Sequence, residues 1–264
     1  MTTVLPAIGV SGYDRFVGRW SRLYVPALLA AAKIAAGQRV LDVATGTGEA
    51  ALAAGSCVGP SGVVLGVDIS LAMLDAARAK AADGPIRVIA MDGQALACWD
   101  RAFDAVICQL GLMLFPNVRQ GLEEFGRVLR PGGRVGVCVW SAPERVPMFG
   151  FLKEALLRHE PAQRNVLEQP YSLADAHRLA GLLTAAGFRD VSVAREVREI
   201  AYESFEEYWE PVEAGAGRSG QIYLGLPEAA RSAVRDEVRE RLSHFESGGR
   251  LEMEAEALIA SGTR

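Results

Sequence analysis

The chain has 264 residues, 50% of them hydrophobic and 23% charged, enough apolar material for one large domain or for a core carrying a smaller cap. Its formal net charge of −4 and pI near 5.6 give no footprint of a nucleic-acid partner, and no apolar run reaches the roughly 20 residues that span a bilayer. Met1–Gly12 has no basic residue ahead of its apolar stretch, and Cys57, Cys98, Cys108 and Cys138 form no close pair at metal-ligand spacing, so the expectation is a cytoplasmic protein with reduced thiols and no metal.

Residues 1–12 read as a loose tail. From Tyr13 to about Ala36, Phe16, Trp20, Leu23, Tyr24, Ala27, Leu28 and Ala31 recur at helical spacing, with Gly18 placed to break the run and Gly37-Gln38 to close it. A first strand, Arg39–Ala44, enters the turn Thr45-Gly46-Thr47-Gly48 and leaves as a helix to about Cys57. After the turn Gly59-Pro60-Ser61-Gly62 comes a second strand, Val63–Asp68, and then a helix Leu71–Ala82 capped by Ser70, with Met73, Leu74 and Ala77 facing inward. Asp83-Gly84-Pro85 turns the chain into a third strand, Ile86–Ala90. The fourth is Ala105–Gln109, followed by a helix Val118–Leu129, a turn Arg130-Pro131-Gly132-Gly133 and a fifth strand Arg134–Trp140.

Strands alternating with amphipathic helices predict an α/β fold: a doubly wound, mostly parallel, seven-stranded sheet with helices on both faces. Segment 141–171 breaks that rhythm with a helix over Met148–Arg158. A helix Ser172–Ala186, ended by Gly187, and a sixth strand Phe188–Val193 restore it. Tyr202–Glu213 and Pro227–Glu246 read as charged helices, and Leu251–Ser261 as a last strand, although Met253, Ala255 and Ala257 fit a helix nearly as well. The expected division is a ligand-binding core with N-terminal helices over 1–140, a cap segment over 141–171, core again over 172–201, a helical cap insertion over 202–249 and a last core strand over 250–264. The two insertions follow late strands, where they would meet above the carboxyl edge of the sheet.

Chemistry concentrates where the first strand ends. Gly46 and Gly48 leave the backbone bare at a helix start, so a ligand can reach unpaired N–H groups and the positive end of the helix dipole. Asp42 precedes that turn, Asp68 ends the second strand about twenty residues beyond Gly48, and Asp92 follows the third. Ligands of open α/β sheets bind outside the carboxyl ends of the strands, and an acidic residue at this distance accepts from ribose hydroxyls. Gly46-Thr47-Gly48-Glu49-Ala50-Ala51 also fits a relaxed dinucleotide fingerprint, so the turn alone serves more than one cofactor.

The ordered set is more specific. Val40-Leu41-Asp42-Val43-Ala44-Thr45-Gly46-Thr47-Gly48 resembles the first motif of the class I, Rossmann-like S-adenosylmethionine-dependent methyltransferases. Gly66-Val67-Asp68-Ile69-Ser70 with Met73-Leu74 resembles the second, Met91-Asp92-Gly93-Gln94-Ala95-Leu96 the third, Phe103-Asp104-Ala105-Val106 the fourth, and Leu129-Arg130-Pro131-Gly132-Gly133 the loop before strand five. The resemblance covers about residues 13–140, and within the family the chain looks like the small-molecule enzymes of ubiquinone and menaquinone biosynthesis. It departs at Ala44, where many relatives have glycine. It implies S-adenosylmethionine as cofactor and S-adenosylhomocysteine as product. The Ala44-Thr45-Gly46 and Gly48 backbone would pass the methionine part, with Asp42 fixing the turn and reaching the amino group. Asp68 would hold the ribose hydroxyls, with Ile69 and Met73 against the adenine. Asp92 would accept from the adenine amino group beside backbone donors of Gly93 and Gln94, and Gln109, Leu110 and Gly111 would line the sulfonium end. An N-terminal helix would bring Tyr13, Arg19 and Trp20, with Arg19 as the partner of the methionine carboxylate.

What receives the methyl group is less legible. An oxygen or nitrogen nucleophile must lose a proton, and among His159, His177 and His244 the first, beside Glu160 in an insertion, is the candidate catalytic base. Cys108-Gln109-Leu110-Gly111 lacks the Asn/Asp-Pro-Pro-Tyr/Phe motif of enzymes that methylate amino groups of DNA bases, so a nucleic-acid substrate is not expected. Met148, Phe149, Phe151, Tyr202, Phe205, Tyr208 and Trp209 suit either an apolar or aromatic small-molecule substrate under the cap or a helix-packing stripe. Two rivals stay open: a nicotinamide-dependent oxidoreductase, and this fold used for a non-transfer reaction such as cyclisation. The sequence leaves monomer and homodimer open.

Overall fold

The computed structural model describes residues 14–81 and 85–264; the tail over residues 1–12, Tyr13 and the Asp83-Gly84 turn fall outside them. A run of helical turns over residues 14–24 leads into α1 (Val25–Ala31). Then follow β1 (Arg39–Val43), α2 (Glu49–Val58), β2 (Val63–Asp68), α3 (Leu71–Ala81), β3 (Ile86–Ala90), β4 (Phe103–Gln109), α4 (Val118–Val128) and β5 (Leu129–Trp140). The second half of the chain gives α5 (Pro147–His159), α6 (Arg164–Glu168), α7 (Ala176–Ala185), β6 (Arg189–Tyr202), α8 (Phe205–Glu213), α9 (Gly217–Gly225), α10 (Glu228–Leu242), β7 (Glu246–Ser247) and β8 (Arg250–Thr263).

Among the described residues the sheet has eight strands in the order β3-β2-β1-β4-β5-β8-β6, with the two-residue β7 paired to β8. The expected seven strands are thus joined by a short hairpin arm. Strands β1 to β5 pair in parallel, in the registers Asp42↔Gly66, Asp42↔Ile107 and Gln109↔Cys138. Along β8, Arg264 pairs its backbone with Gly132 and Gly133, and Glu256 accepts from the Ser141 amide, so β8 runs against β5. Apolar alternation at Leu251, Met253 and Ala255, all buried, selects strand over helix for this segment.

The chain divides into two compact units. The first holds residues 21–139, 173–196 and 257–264. Val40, Leu41, Val43, Val64 and Val67 are buried, as strands covered on both faces require. Asn117 caps α4 by accepting from the Gln120 amide at 3.1 Å, a bond worth about 1 kcal/mol. Leu122, Phe125 and Val128 of that helix are fully buried. The segment Arg130–Gly133, expected as a turn, belongs to β5 because Gly132 and Gly133 pair with Arg264. The N-terminal helix stops at Ala31, before the expected glycine, and Lys33 takes the left-handed conformation instead.

The second unit holds the described residues up to 20, together with 140–172 and 197–256. Aromatic rings form its core: Trp20 meets Tyr202 with centroids 4.8 Å apart, Tyr202 meets Tyr208 at 5.4 Å, and Phe205 stacks on Trp209 at 5.5 Å. The Trp20 indole donates to the Tyr202 hydroxyl at 2.6 Å, and Tyr208 donates to the Met148 carbonyl at 2.6 Å. Met148, Tyr202, Phe205, Tyr208 and Trp209 are all buried, so packing accounts for these five residues. Tyr202 ends β6 rather than starting a helix, because the Ser204 hydroxyl caps α8 one turn later. The sequence reading passed over α9, whose Gly-Arg-Ser-Gly start and few buried residues, Gly220 and Tyr223, give a weak periodic signal.

Candidate cofactor site

Fourteen of the residues predicted for the cofactor lie in the first unit, and the parallel register brings them to the carboxyl ends of β1, β2, β3 and β4. β1 ends at Val43, and Ala44 takes φ +57°, a region costly for any side chain. A glycine would take this conformation without that cost. Gly46 has φ +55°, and a Cβ there would meet nothing within 4 Å. Bare backbone facing open space is what a ligand needs. Gly48 caps α2 with φ +89°, and its Cβ would lie 3.2 Å from that of Ala77, so glycine also lets α3 approach the turn.

Two carboxylates flank this turn. Asp68 accepts from the Gly46 amide and the Ser70 amide, each at 2.9 Å, and burial raises its pKa against those hydrogen bonds. It therefore fixes the turn. Asp42 is fully buried. Its Oδ2 accepts from the Thr45 hydroxyl at 2.6 Å, while Oδ1 has no hydrogen-bond partner among the described residues. Burial pushes the Asp42 carboxyl up to about 7, and the neighbouring Asp68 adds to the rise.

Next to Asp68, Ile69 is 66% exposed, a flat apolar surface suited to an aromatic base. Ser70 caps α3 by accepting from the Met73 amide at 3.4 Å, which leaves Met73 half-buried on the same turn. Asp92 is exposed after β3, and its Oδ1 accepts from the Gln94 amide at 2.8 Å. That bond corrects one expectation: the Gln94 N–H is not a vacant donor. Its side chain is also engaged, accepting from the Asn117 amide at 2.7 Å. Gly93 is a close approach, since a Cβ there would lie 2.5 Å from Phe115 and 2.6 Å from Val43.

At the end of β4, Gln109 donates to the Ser21 carbonyl, and its buried Oε1 has no partner among the described residues. Leu110 turns the chain with φ +53°. A Cβ on Gly111 would overlap that of Ala44.

Arg19, Trp20 and His159 fall in the second unit, the first two with partners of their own, while Tyr13 lies outside the described residues. Arg19 pairs with Glu207 at 2.5 Å and donates to the Ala201 carbonyl at 3.2 Å. The guanidinium expected to clamp a methionine carboxylate is thus neutralised by a carboxylate of its own chain. Trp20 is a core residue. His159 is exposed on the last turn of α5.

Sequence reasoning missed three residues. Phe115 is wedged between Gly93 and Gly121, at whose site a Cβ would lie 2.6 Å from the ring. Arg127 pins the segment after Asp92 by donating to the Leu96 and Cys98 carbonyls at 2.7 Å. Glu256 is 4% exposed, accepting from the Ser141 hydroxyl at 2.6 Å and pairing with Arg145 at 3.3 Å. Strict alternation would have put Glu256 outward with Glu252 and Glu254.

Among the described residues no group of His, Cys, Asp or Glu could hold a metal ion. The residues present do fit S-adenosylmethionine. Asp42 Oδ1 and Gln109 Oε1 are buried acceptors awaiting donors, the Gly46 backbone is open, and Ile69 is a bare apolar surface.

Comparison with known proteins agrees. Residues 40–133 match the family model described as "Methyltransferase domain". The ubiquinone/menaquinone biosynthesis C-methyltransferase of Geobacter sulfurreducens is 32% identical over 195 residues, 69% of this chain and 73% of that protein. The demethylmenaquinone methyltransferase of Halalkalibacterium halodurans is 35% identical over 172 residues, 60% of this chain and 70% of that protein. Phosphoethanolamine N-methyltransferase 2 of Haemonchus contortus, solved with phosphomonomethylethanolamine and S-adenosylhomocysteine, has the same fold. It superposes with TM-score 0.60 at 19% identity, covering 97% of this chain and 57% of that one. The nicotinamide-dependent and non-transfer alternatives are not favoured: the chain belongs to the class I S-adenosylmethionine-dependent methyltransferases.

Proposed function

We propose that the chain methylates a carbon atom of a small apolar or aromatic molecule, a reduced quinone precursor being the model substrate. The observation that carries this reading is its 32% identity, across 73% of the relative's length, to an enzyme named as a ubiquinone/menaquinone C-methyltransferase. When bound, S-adenosylmethionine supplies a methyl group already activated by its positive sulfur. The tasks left to the protein are to align a nucleophile with the methyl, keep water out and receive the substrate's proton. A carbon–sulfur bond breaks as the new carbon–carbon bond forms, and one proton leaves the substrate.

In this reading the Ala44–Gly48 backbone takes the methionine part, with Asp42 Oδ1 and Gln109 Oε1 as acceptors for its ammonium. Asp68 takes the ribose hydroxyls, Ile69 and Met73 the adenine face, and the second oxygen of Asp92 the adenine amino group. Leu110 and Gly111 bound the sulfonium end. His159 is proposed as the proton acceptor, and His159→Gln tests that role: lost turnover with unchanged cofactor affinity supports it, and full turnover removes it. A cytoplasmic setting belongs to the same proposal. No helix among the described residues is long and apolar enough to cross a membrane.

The test is incubation of the purified chain with methyl-labelled S-adenosylmethionine and a set of demethylated hydroquinones. Formation of S-adenosylhomocysteine only when a hydroquinone is added, with the label on ring carbon, supports the proposal. Label on oxygen or nitrogen would overturn the C-methylation reading.

A further inference from the structure

Asp92 lies one strand beyond Asp68. β2 and β3 pair in parallel with Asp68 opposite Ala90, and the Met91 amide donates to the Asp68 carbonyl at 3.0 Å. Asp92 therefore follows directly where the two strands part, about 4.8 Å across the sheet from the carboxylate assigned to ribose. Its hydrogen bonds fall on one oxygen: Oδ1 accepts from the Gln94 backbone amide at 2.8 Å and from Gln94 Nε2 at 3.3 Å. Oδ2 has no hydrogen-bond partner among the described residues. A carboxylate bonded to the amide two residues on is ordinary turn chemistry. The bond from the Gln94 side chain is not part of that turn, and it has support behind it.

The Gln94 amide has one orientation only. Its Oε1 accepts from the Asn117 backbone amide at 2.7 Å, and a backbone N–H can only donate, so Nε2 is the end left for Asp92. The Gln94 carbonyl is held as well, accepting from Gln120 Nε2 at 2.8 Å. Asn117 and Gln120 fix one another at the start of α4: Asn117 Oδ1 accepts from the Gln120 amide at 3.1 Å, and Asn117 Nδ2 donates to Gln120 Oε1 at 3.4 Å. Phe115 closes the same loop, since a Cβ on Gly93 would lie 2.5 Å from its ring and 2.6 Å from Val43.

We infer that Gln94 is a positioning residue for the choice of base: clamped by Asn117 and Gln120, it holds Asp92 by one oxygen and leaves the other to accept from the exocyclic amino group of adenine. The inference rests on the reading of Asp92 as the adenine contact. The clamp is what turns that contact into selectivity. Asp92 is exposed, and an exposed carboxylate free to rotate would swing into water when an unsuitable base arrived, losing a contact but meeting no repulsion. Held by Gln94, it faces the oxo group of a hypoxanthine base acceptor against acceptor, and the wrong ligand is penalised. Holding the side chain beforehand also spares the right ligand the entropy of ordering it.

The experiment is calorimetric titration of the full chain with S-adenosylhomocysteine and with S-inosylhomocysteine, which carries an oxo group in place of the adenine amino group. The readout is the ratio of the two affinities, which a general loosening of the loop would not move. The wild type should prefer the adenine ligand by roughly tenfold, and Asp92→Ala should abolish that preference. Gln94→Met, similar in length and without the polar end, should shrink the preference to about threefold. Gln120→Met alters an exposed residue that has no proposed cofactor contact; it should shrink the preference in the same direction and decides the matter if Gln94→Met does not fold. A full preference in the Gln94 and Gln120 variants, with its loss in Asp92→Ala, overturns the inference and leaves Asp92 as the adenine contact. A wild type without preference, or a preference that survives Asp92→Ala, overturns the reading of Asp92 and the inference with it.

Discussion

Ala44 and Gly111 meet where β1 and β4 end: a methyl group on Gly111 would overlap the Ala44 methyl and come within 3.1 Å of the Cys108 sulfur. Ala44 itself holds φ +57°. Gly111→Ala should therefore destabilise the protein by about 1–3 kcal/mol, the usual cost of overpacking. Ala44→Gly should be neutral to stabilising by about 1 kcal/mol through relief of the left-handed strain. The double variant should recover part of the Gly111→Ala loss, because the obstructing methyl is gone. Denaturant unfolding of the four proteins in this cycle measures all three effects.

Asp68 is expected to matter twice. Asp68→Ala removes the acceptor of the Gly46 and Ser70 amides along with the proposed ribose contact. Cofactor affinity should fall by about 1–3 kcal/mol, as when a charged acceptor is removed. Hydrogen exchange at Gly46 should quicken in the ligand-free protein, an effect that loss of the ribose contact alone would not produce.

Arg127 holds the segment after Asp92 in place through Glu124, Asp100 and two carbonyls. Arg127→Ala leaves those carbonyls and the Glu124 carboxylate short of partners, at about 1–3 kcal/mol. Hydrogen bonding to Arg127 leads the causes that lower the Glu124 pKa below its ordinary 4.5. The stability contributed by this pair is therefore present above the ordinary carboxylate range and lost as pH falls through the depressed value. The gap in stability between wild type and variant should narrow on acidification through that window.

Arg19 separates two roles cleanly. Its pairing with Glu207 is about one-third exposed, 32% and 35% for the two side chains, so Arg19→Ala should cost no more than about 1 kcal/mol of stability. Cofactor affinity should stay within twofold of wild type, measured by the same titrations; a large loss would restore the carboxylate role to Arg19.

Cys108 and Cys138 are buried, and burial raises both thiols well above their ordinary range. A thiol reagent should modify exposed Cys57 first and half-buried Cys98 slowly. Cys108 and Cys138 should react only after unfolding.

The parts that could be read from sequence were those with a local signature. Buried strands announce themselves as apolar runs, and the turn at Gly46 and Gly48 as paired glycines. Asp68 and Asp92 were legible because each follows such a run. What escaped depends on partners distant in the chain. Glu256 follows the alternation of a solvent-facing residue, and only Ser141 and Arg145, more than a hundred positions away, let it be buried. Arg19 suits a ligand clamp in sequence because a guanidinium pairs a carboxylate bidentately; Glu207 supplies such a carboxylate from another part of the chain. The aromatic residues of the insertions could not be divided between packing and substrate until Trp20 and Tyr202 were seen to share a hydrogen bond.

The strand order has a further consequence during synthesis. Among the described residues β6 stands at the edge of the sheet with β8 as its sole neighbour, yet residues 203–249 must be translated between them. β8 then has to slip between β5 and β6 in a nascent chain whose other strands are already made. During that interval β6 is an open template for foreign strands, a recognised route to misassembly. Its own composition guards against this: Arg189, Asp190, Arg195, Glu196, Arg198 and Glu199 crowd it with charge of both signs, which discourages edge-to-edge pairing. The ribosome thus hands out the sheet's keystone after the strands it must join.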